Sequence, residues 1–156
     1  LEIARGEGIP VLPRGGGTSQ CGQTVGEELV IDASRHLNGV VSFDKEARTV
    51  VVEPGIVLDH LNAWLKPHGL WFPVDVSTSA QCTLGGMAGN NSCGSRSIHY
   101  GNMVHNVQAL DVLLADGEKV HLGLVGELGA GKTTFTKGLV CGAGCGGGVP
   151  LRAGIS

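Results

Sequence analysis

The chain has 156 residues, enough for one domain and little more, with 16% charged residues and a formal net charge of −3. That balance excludes a basic nucleic-acid surface or a membrane-binding basic face, and no apolar run reaches the length of a membrane span. Glycine is the unusual component: 27 residues, clustered and without a G-X-Y period, which excludes collagen and points to loops that approach something closely. In chain order, Leu1–Gly8 reads as the tail of a helix ended by glycines, and Ile9–Leu12 as a short buried strand. Leu29–Asp32 and Val40–Asp44 read as further strands. Lys45–Arg48 is a polar turn into the β-branched run Thr49–Glu53, which Pro54-Gly55 stops. From Ile56 to Lys66 the period becomes helical, placing Leu58, Leu61, Trp64 and Leu65 in the core, and Pro67 with Gly69 closes that helix. Leu70–Pro73 is another short apolar run. Val107–Ala115 is the longest strand candidate, and Asp116-Gly117 turns it back into Lys119–Leu122.

Two glycine-rich stretches open from these elements. In Pro13–Ser19 a strand empties into glycines followed by hydroxyls, a pattern that suits either phosphate oxygens or a flexible surface loop. Arg14 favours the anion, because guanidinium pairs bidentately with phosphate. Thr83–Gly101 holds five glycines, two adjacent asparagines and a single charge. It can bring backbone N–H groups close to a ligand. The five cysteines form no C-x-x-C pair, which argues for free thiols in a reducing, cytoplasmic compartment and against zinc; the six histidines are scattered, and no metal site is expected. The chain begins at Leu1 without a signal-peptide pattern and reads as a fragment.

Residues 3 to about 122 carry, in order, Pro-Arg-Gly-Gly-Gly-Thr-Ser at 13–19, Val-Glu-Pro-Gly at 52–55 and Trp-Phe-Pro-Val-Asp at 71–75. Thr-Leu-Gly-Gly-Met-Ala-Gly-Asn-Asn-Ser-Cys-Gly at 83–94, His-Tyr-Gly at 99–101 and Leu-Ala-Asp-Gly at 114–117 follow. This set resembles the FAD-binding domain of the vanillyl-alcohol-oxidase/PCMH type, and within it the bacterial D-lactate, glycolate and D-2-hydroxyglutarate dehydrogenase branch. The resemblance implies an α+β fold of short strands and few helices, noncovalent FAD, a 2-hydroxy acid as substrate and an electron acceptor. It also implies that Arg14, Gly15, Gly16, Gly17, Thr18 and Ser19 wrap the cofactor's pyrophosphate. Pro73, Asp75, Thr83, Gly85, Gly86, Asn90 and Gly94 would line the opposite side, with Tyr100 and Gly101 closing that segment. The family's substrate-binding cap has no counterpart in the sequence, so no catalytic residue is assigned.

After the hairpin, Gly126-Glu-Leu-Gly-Ala-Gly-Lys-Thr133 is a complete G-x-x-x-x-G-K-[ST] phosphate loop, with Gly126, Gly129, Gly131, Lys132 and Thr133 as its signature positions. Residues 122–140 resemble the loop of the small bacterial ATPase of tRNA threonylcarbamoyladenosine biosynthesis. That resemblance implies Mg-ATP, with Lys132 on the β- and γ-phosphates and Thr133 on the metal. A Walker-B carboxylate and parallel neighbouring strands are missing from the sequence that follows, so the loop reads as orphaned. The expected organisation is a partial flavin domain over 1–122, a truncated strand–loop–helix over 123–140 and a glycine-rich disordered tail over 141–156. The two resemblances meet near residues 120–123, as though two coding fragments were joined there.

Overall fold

A computed structural model describes residues 1–114, 116–124 and 151–156. The elements are α1 (Glu2–Gly6), β1 (Val11–Arg14), β2 (Leu29–Asp32), β3 (Val40–Asp44), β4 (Thr49–Val52) and α2 (Leu58–Leu65), the last continued by a 3-10 turn at Lys66–His68. Then come α3 (Leu84–Gly89), α4 (Ser97–Tyr100), α5 (Met103–Asn106), β5 (Val107–Leu113), β6 (Lys119–Gly123) and β7 (Leu151–Gly154). Short strands and few helices agree with the α+β expectation. β1 and β2 pair in parallel, from Val11 opposite Leu29 to Arg14 opposite Asp32. The other five strands form an antiparallel sheet in the order β3-β4-β7-β5-β6.

The sequence dictates much of this locally. Three consecutive valines make β4 a strand that fits a pleated sheet, and Val50 and Val52 are fully buried. The turn from β3 is fixed by the Asp44 carboxylate, which accepts from the Ala47 N–H at 2.9 Å. Gly117, at φ 89°, takes the left-handed conformation that the β5–β6 hairpin needs, with the Leu114 N–H donating to the Glu118 carbonyl at 2.9 Å. On α2, Leu58, Leu61 and Leu65 form an i, i+3, i+7 stripe buried against Phe72, Val74 and the sheet. Each such leucine contributes about 1.5–3 kcal/mol. Trp64 departs from the expectation of a core position: it is 39% exposed. It falls beside the leucine stripe, at the rim, where its ring meets Phe43 edge-on at 5.2 Å and His68 at 5.3 Å.

The sequence reading of residues 141–156 as a disordered tail also needs correction at its end. Leu151–Gly154 is the strand at the centre of the five-stranded sheet, paired with β4 on one side and β5 on the other. The physical reason is a period of two: Leu151, Ala153 and Ile155 point inward and are buried, while Arg152 faces out. Beyond the strand, the Ile155 N–H donates to the Arg48 carbonyl at 3.0 Å. Ser156 exchanges two backbone hydrogen bonds with Trp71, at 2.9 and 3.0 Å. The phosphate-loop positions Gly126 to Thr133, and the helix expected after them, lie outside the described residues.

Candidate functional site

The glycine segment that begins at Thr83 is not wholly a loop. Thr83 is the N-cap of α3, its hydroxyl accepting from the Gly86 N–H at 3.4 Å, and Leu84, Met87 and Ala88 are buried beneath the helix. Tertiary burial of these three positions outweighs the poor helix propensity of three glycines. Across from α3, β1 ends at Arg14 and releases the loop Gly15–Ser19. Between loop and helix lies a cavity of about 560 Å³, lined by Arg14, Gly15, Gly16, Gly17, Thr18 and Ser19 on one side. Thr83, Gly85, Gly86 and Asn90 line the other. These ten are sequence-predicted site residues that the fold brings together.

The glycines do more than admit a ligand. A Cβ on Gly15 would collide with the Thr83 side chain, and one on Gly16 with the Gln81 carbonyl; one on Gly85 would meet Pro54 Cβ at 2.6 Å. The two jaws therefore touch through glycine, and the cavity is the space left where they part. Among the described residues, the backbone N–H groups of Gly15 through Ser19 donate to no protein acceptor. Such a run of free amide donors is suited to oxyanions.

Charge is nearly absent from the walls. Arg14 and Asp111 are the charged lining residues among those described, and each has a partner. Arg14 Nη2 lies 3.4 Å from Asp32 Oδ2. Asp32 Oδ1 accepts from the Ser34 hydroxyl at 2.6 Å and the Ser34 N–H at 2.9 Å. These Ser34 donors, with Arg14 behind them, hold the Asp32 carboxyl below the usual carboxylate range. Asp111, on β5, meets the His121 ring of β6 opposite it. Cys82 contributes a buried thiol to the wall, 3.6 Å from Met87 Sδ. Burial pushes that thiol up, so it is a packing group and not an activated nucleophile.

Five predicted residues do not line the cavity: Pro73, Asp75, Gly94, Tyr100 and Gly101. Pro73 is buried between the core residues Phe72 and Val74. Asp75 organises the turn before α4, accepting from the Ser95 hydroxyl at 2.6 Å and the Arg96 N–H at 3.0 Å. Those hydrogen bonds, with the Arg96 guanidinium 3.8 Å away, lower its carboxyl pKa. Gly94 packs on Asp75 too closely for any Cβ, and a Cβ on Gly101 would meet the His105 ring at 2.8 Å. Tyr100 stands edge-on to Trp71 at 5.3 Å, and Arg96 lies over the same Trp71 ring at 4.9 Å. This group braces the segment that carries α3 and α4. Sequence reasoning missed Gln23, Thr24, Pro54, Val76, Thr78 and Cys82 as lining residues. Only Pro54, inside Val-Glu-Pro-Gly, and Cys82, directly before Thr83, carried a signal in their neighbourhood.

Comparison with known proteins accords with this geometry. The family described as FAD binding domain matches residues 1–123. The chain is 41% identical over 112 residues to the D-2-hydroxyglutarate dehydrogenase of Haemophilus influenzae, covering 72% of this chain and 11% of that protein. It is 35% identical over 121 residues to a mitochondrial D-lactate dehydrogenase (cytochrome) of Saccharomyces cerevisiae, covering 75% of this chain and 20% of that one. With the glycolate oxidase subunit GlcD of Bacillus subtilis it shares 36% identity over 126 residues, 79% of this chain and 26% of the subunit. The chain thus spans a minor part of the length of each relative. Among solved structures, an alkyldihydroxyacetonephosphate synthase superposes with a TM-score of 0.79 at 21% identity, over 99% of this chain and 30% of that one. At that identity the likeness concerns the fold. Among the described residues, no helix is long and apolar enough to cross a membrane.

Proposed function

This chain belongs to the FAD-binding domain family, and on that premise we propose that it is the FAD-binding portion of a flavin-dependent oxidoreductase acting on a 2-hydroxy acid. One observation carries the reading: the loop Gly15–Ser19, whose amides donate to no protein acceptor among the described residues, lines a cavity of about 560 Å³ whose charged wall residues, among those described, are already paired. A loop of neutral donors, held against the opposite segment by glycines that leave no room for a Cβ at Gly15 or Gly16, fits a diphosphate. In this reading the loop amides and the Thr18 and Ser19 hydroxyls hold the phosphates. Thr83 is spent on capping α3, so its part is to set the helix against the loop. Pro54, Val76 and Leu110 supply an apolar wall that excludes water from whatever ring lies on it.

When bound, FAD supplies a ring that takes up hydride from a carbon bearing a hydroxyl, while the protein binds and orients. The named relatives act on D-2-hydroxyglutarate, D-lactate and glycolate, which share a hydroxyl next to a carboxylate. That shared group is the substrate class proposed here, together with an electron acceptor and a cytoplasmic setting. Retention of FAD without a covalent link is part of this reading. The test is to incubate the chain with FAD, desalt it and record the visible spectrum. Flavin absorbance that persists, and is lost in Gly16→Asp, supports the reading; its absence from the parent refutes it.

The motif at Gly126–Thr133 supports a second reading, a Mg-ATP-binding component of tRNA modification. Against it stands the strand leading toward the motif: β6 pairs antiparallel with β5 at the sheet edge, whereas a phosphate loop follows a strand with parallel neighbours. Mg-ATP affinity that disappears in Lys132→Ala would favour this reading, and equal affinity in parent and variant would remove it.

A further inference from the structure

Arg14 opens the Pro-Arg-Gly-Gly-Gly motif and is the obvious candidate for a phosphate ligand. The structure gives its guanidinium another occupation. Arg14 stands opposite Asp32 in the parallel β1–β2 pair, and its carbonyl accepts from the Ala33 N–H at 2.9 Å. Its Nη2 lies 3.4 Å from Asp32 Oδ2, on a carboxylate that Ser34 fixes from the other side through two donors. Main chain and side chain of one residue are thus both tied to the end of β2, at the point where the loop departs. The next residue, Gly15, rests on Thr83. We infer that Arg14 is a positioning residue: through Asp32 it anchors the mouth of the Gly15–Ser19 loop, and the phosphates are recognised by backbone amides and hydroxyls without a paired cation. The inference rests on the FAD reading for its ligand, though not for the anchoring itself.

The two roles predict opposite behaviour. If Arg14 anchors the loop, Arg14→Gln and Asp32→Asn break the same contact. Both then weaken FAD binding by a similar factor, up to about fivefold for a partly exposed ion pair. Because no ion pair to phosphate is lost, parent and Arg14→Gln lose affinity by the same factor between low and high salt. Without any ligand, amide hydrogen exchange at Gly15–Ser19 speeds up in both variants while the β5 amides keep their protection. A direct phosphate ligand gives the reverse pattern. Asp32→Asn would then free the guanidinium and tighten FAD binding, Arg14→Gln would remove most of the salt dependence, and loop exchange without ligand would stay at the parent's rate. Any of these three results overturns the inference. A parent that binds no FAD refutes the FAD reading instead, and the exchange rates of the ligand-free loop then decide the anchoring: faster supports it, unchanged overturns it.

Discussion

Gly16→Ala is the sharpest test of how the two jaws meet. The added methyl would point into the backbone of the opposite segment, overlapping the Gln81 carbonyl and standing 2.8 Å from its carbon and 3.3 Å from Cys82 Cα. Backbone cannot swing aside as a flexible side chain can, so loop and segment must separate by the order of an ångström. Overpacking of this kind costs about 1–3 kcal/mol. That corresponds to a fall in melting temperature of roughly 2–12 °C for a domain of this size. If the separation also misplaces the loop amides, FAD affinity falls about tenfold for each 1.4 kcal/mol lost at the ligand. Two companion variants isolate the cause. Gly17→Ala meets nothing nearer than Arg14 Cδ at 3.8 Å, so it pays only for its φ of 64°, about 1–2 kcal/mol. Gly6→Ala, on α1 with open space around it, gains up to about 1 kcal/mol. Thermal melts and FAD titrations of the three read the effect. A Gly16→Ala protein that melts and binds like the parent refutes the contact between the jaws.

Leu151→Ala removes a fully buried side chain from the central strand and is expected to destabilise by about 2–5 kcal/mol in urea denaturation, more than a surface change on β3. Acid should reveal the lowered carboxylates. Asp32 and Asp75 titrate below the 3.8 of the unfolded chain, so their stabilisation is fully present above about pH 4 and is lost as pH falls through their folded values. Urea midpoints measured from pH 6 down to pH 3 should therefore drop, and Asp75→Asn should flatten the lower end of that curve. A variant whose midpoints track the parent's throughout would contradict the role given to Asp75.

Much of the scaffold was legible because its signals are local. The strands Leu29–Asp32 and Val40–Asp44 coincide with their apolar runs, and α2 declares itself through Leu58, Leu61 and Leu65. The loop at Gly15–Ser19 and the segment at Thr83 stand out in the sequence through their glycines and hydroxyls, and the family resemblance paired them; in the fold both line one cavity. What escaped the sequence is set by contacts distant along the chain. Leu84, Met87 and Ala88 have helical spacing, but the glycines around them hide it until burial supplies the missing stability. Asp75 looks like a ligand in its motif and becomes a brace only once Ser95 and Arg96 are folded onto it. Arg14 likewise depends on Asp32, a residue of another strand. β7 is four residues long, too short for periodicity to speak above the glycine-rich sequence before it.

The place of β7 also sets the order of assembly. β3 and β4, like β5 and β6, are hairpins that close over short turns, and such pairs form in microseconds. Neither pair touches the other through the sheet until residues 151–154 arrive, some hundred positions after the strand they join on one side. Closing so long a loop is slow compared with either hairpin. During synthesis the two hairpins must therefore wait with unpaired edges, and the protein is most prone to pairing with other chains in that interval. The strand that completes the sheet also covers two of the four open hairpin edges, leaving β3 and β6 as the outer strands among the described residues.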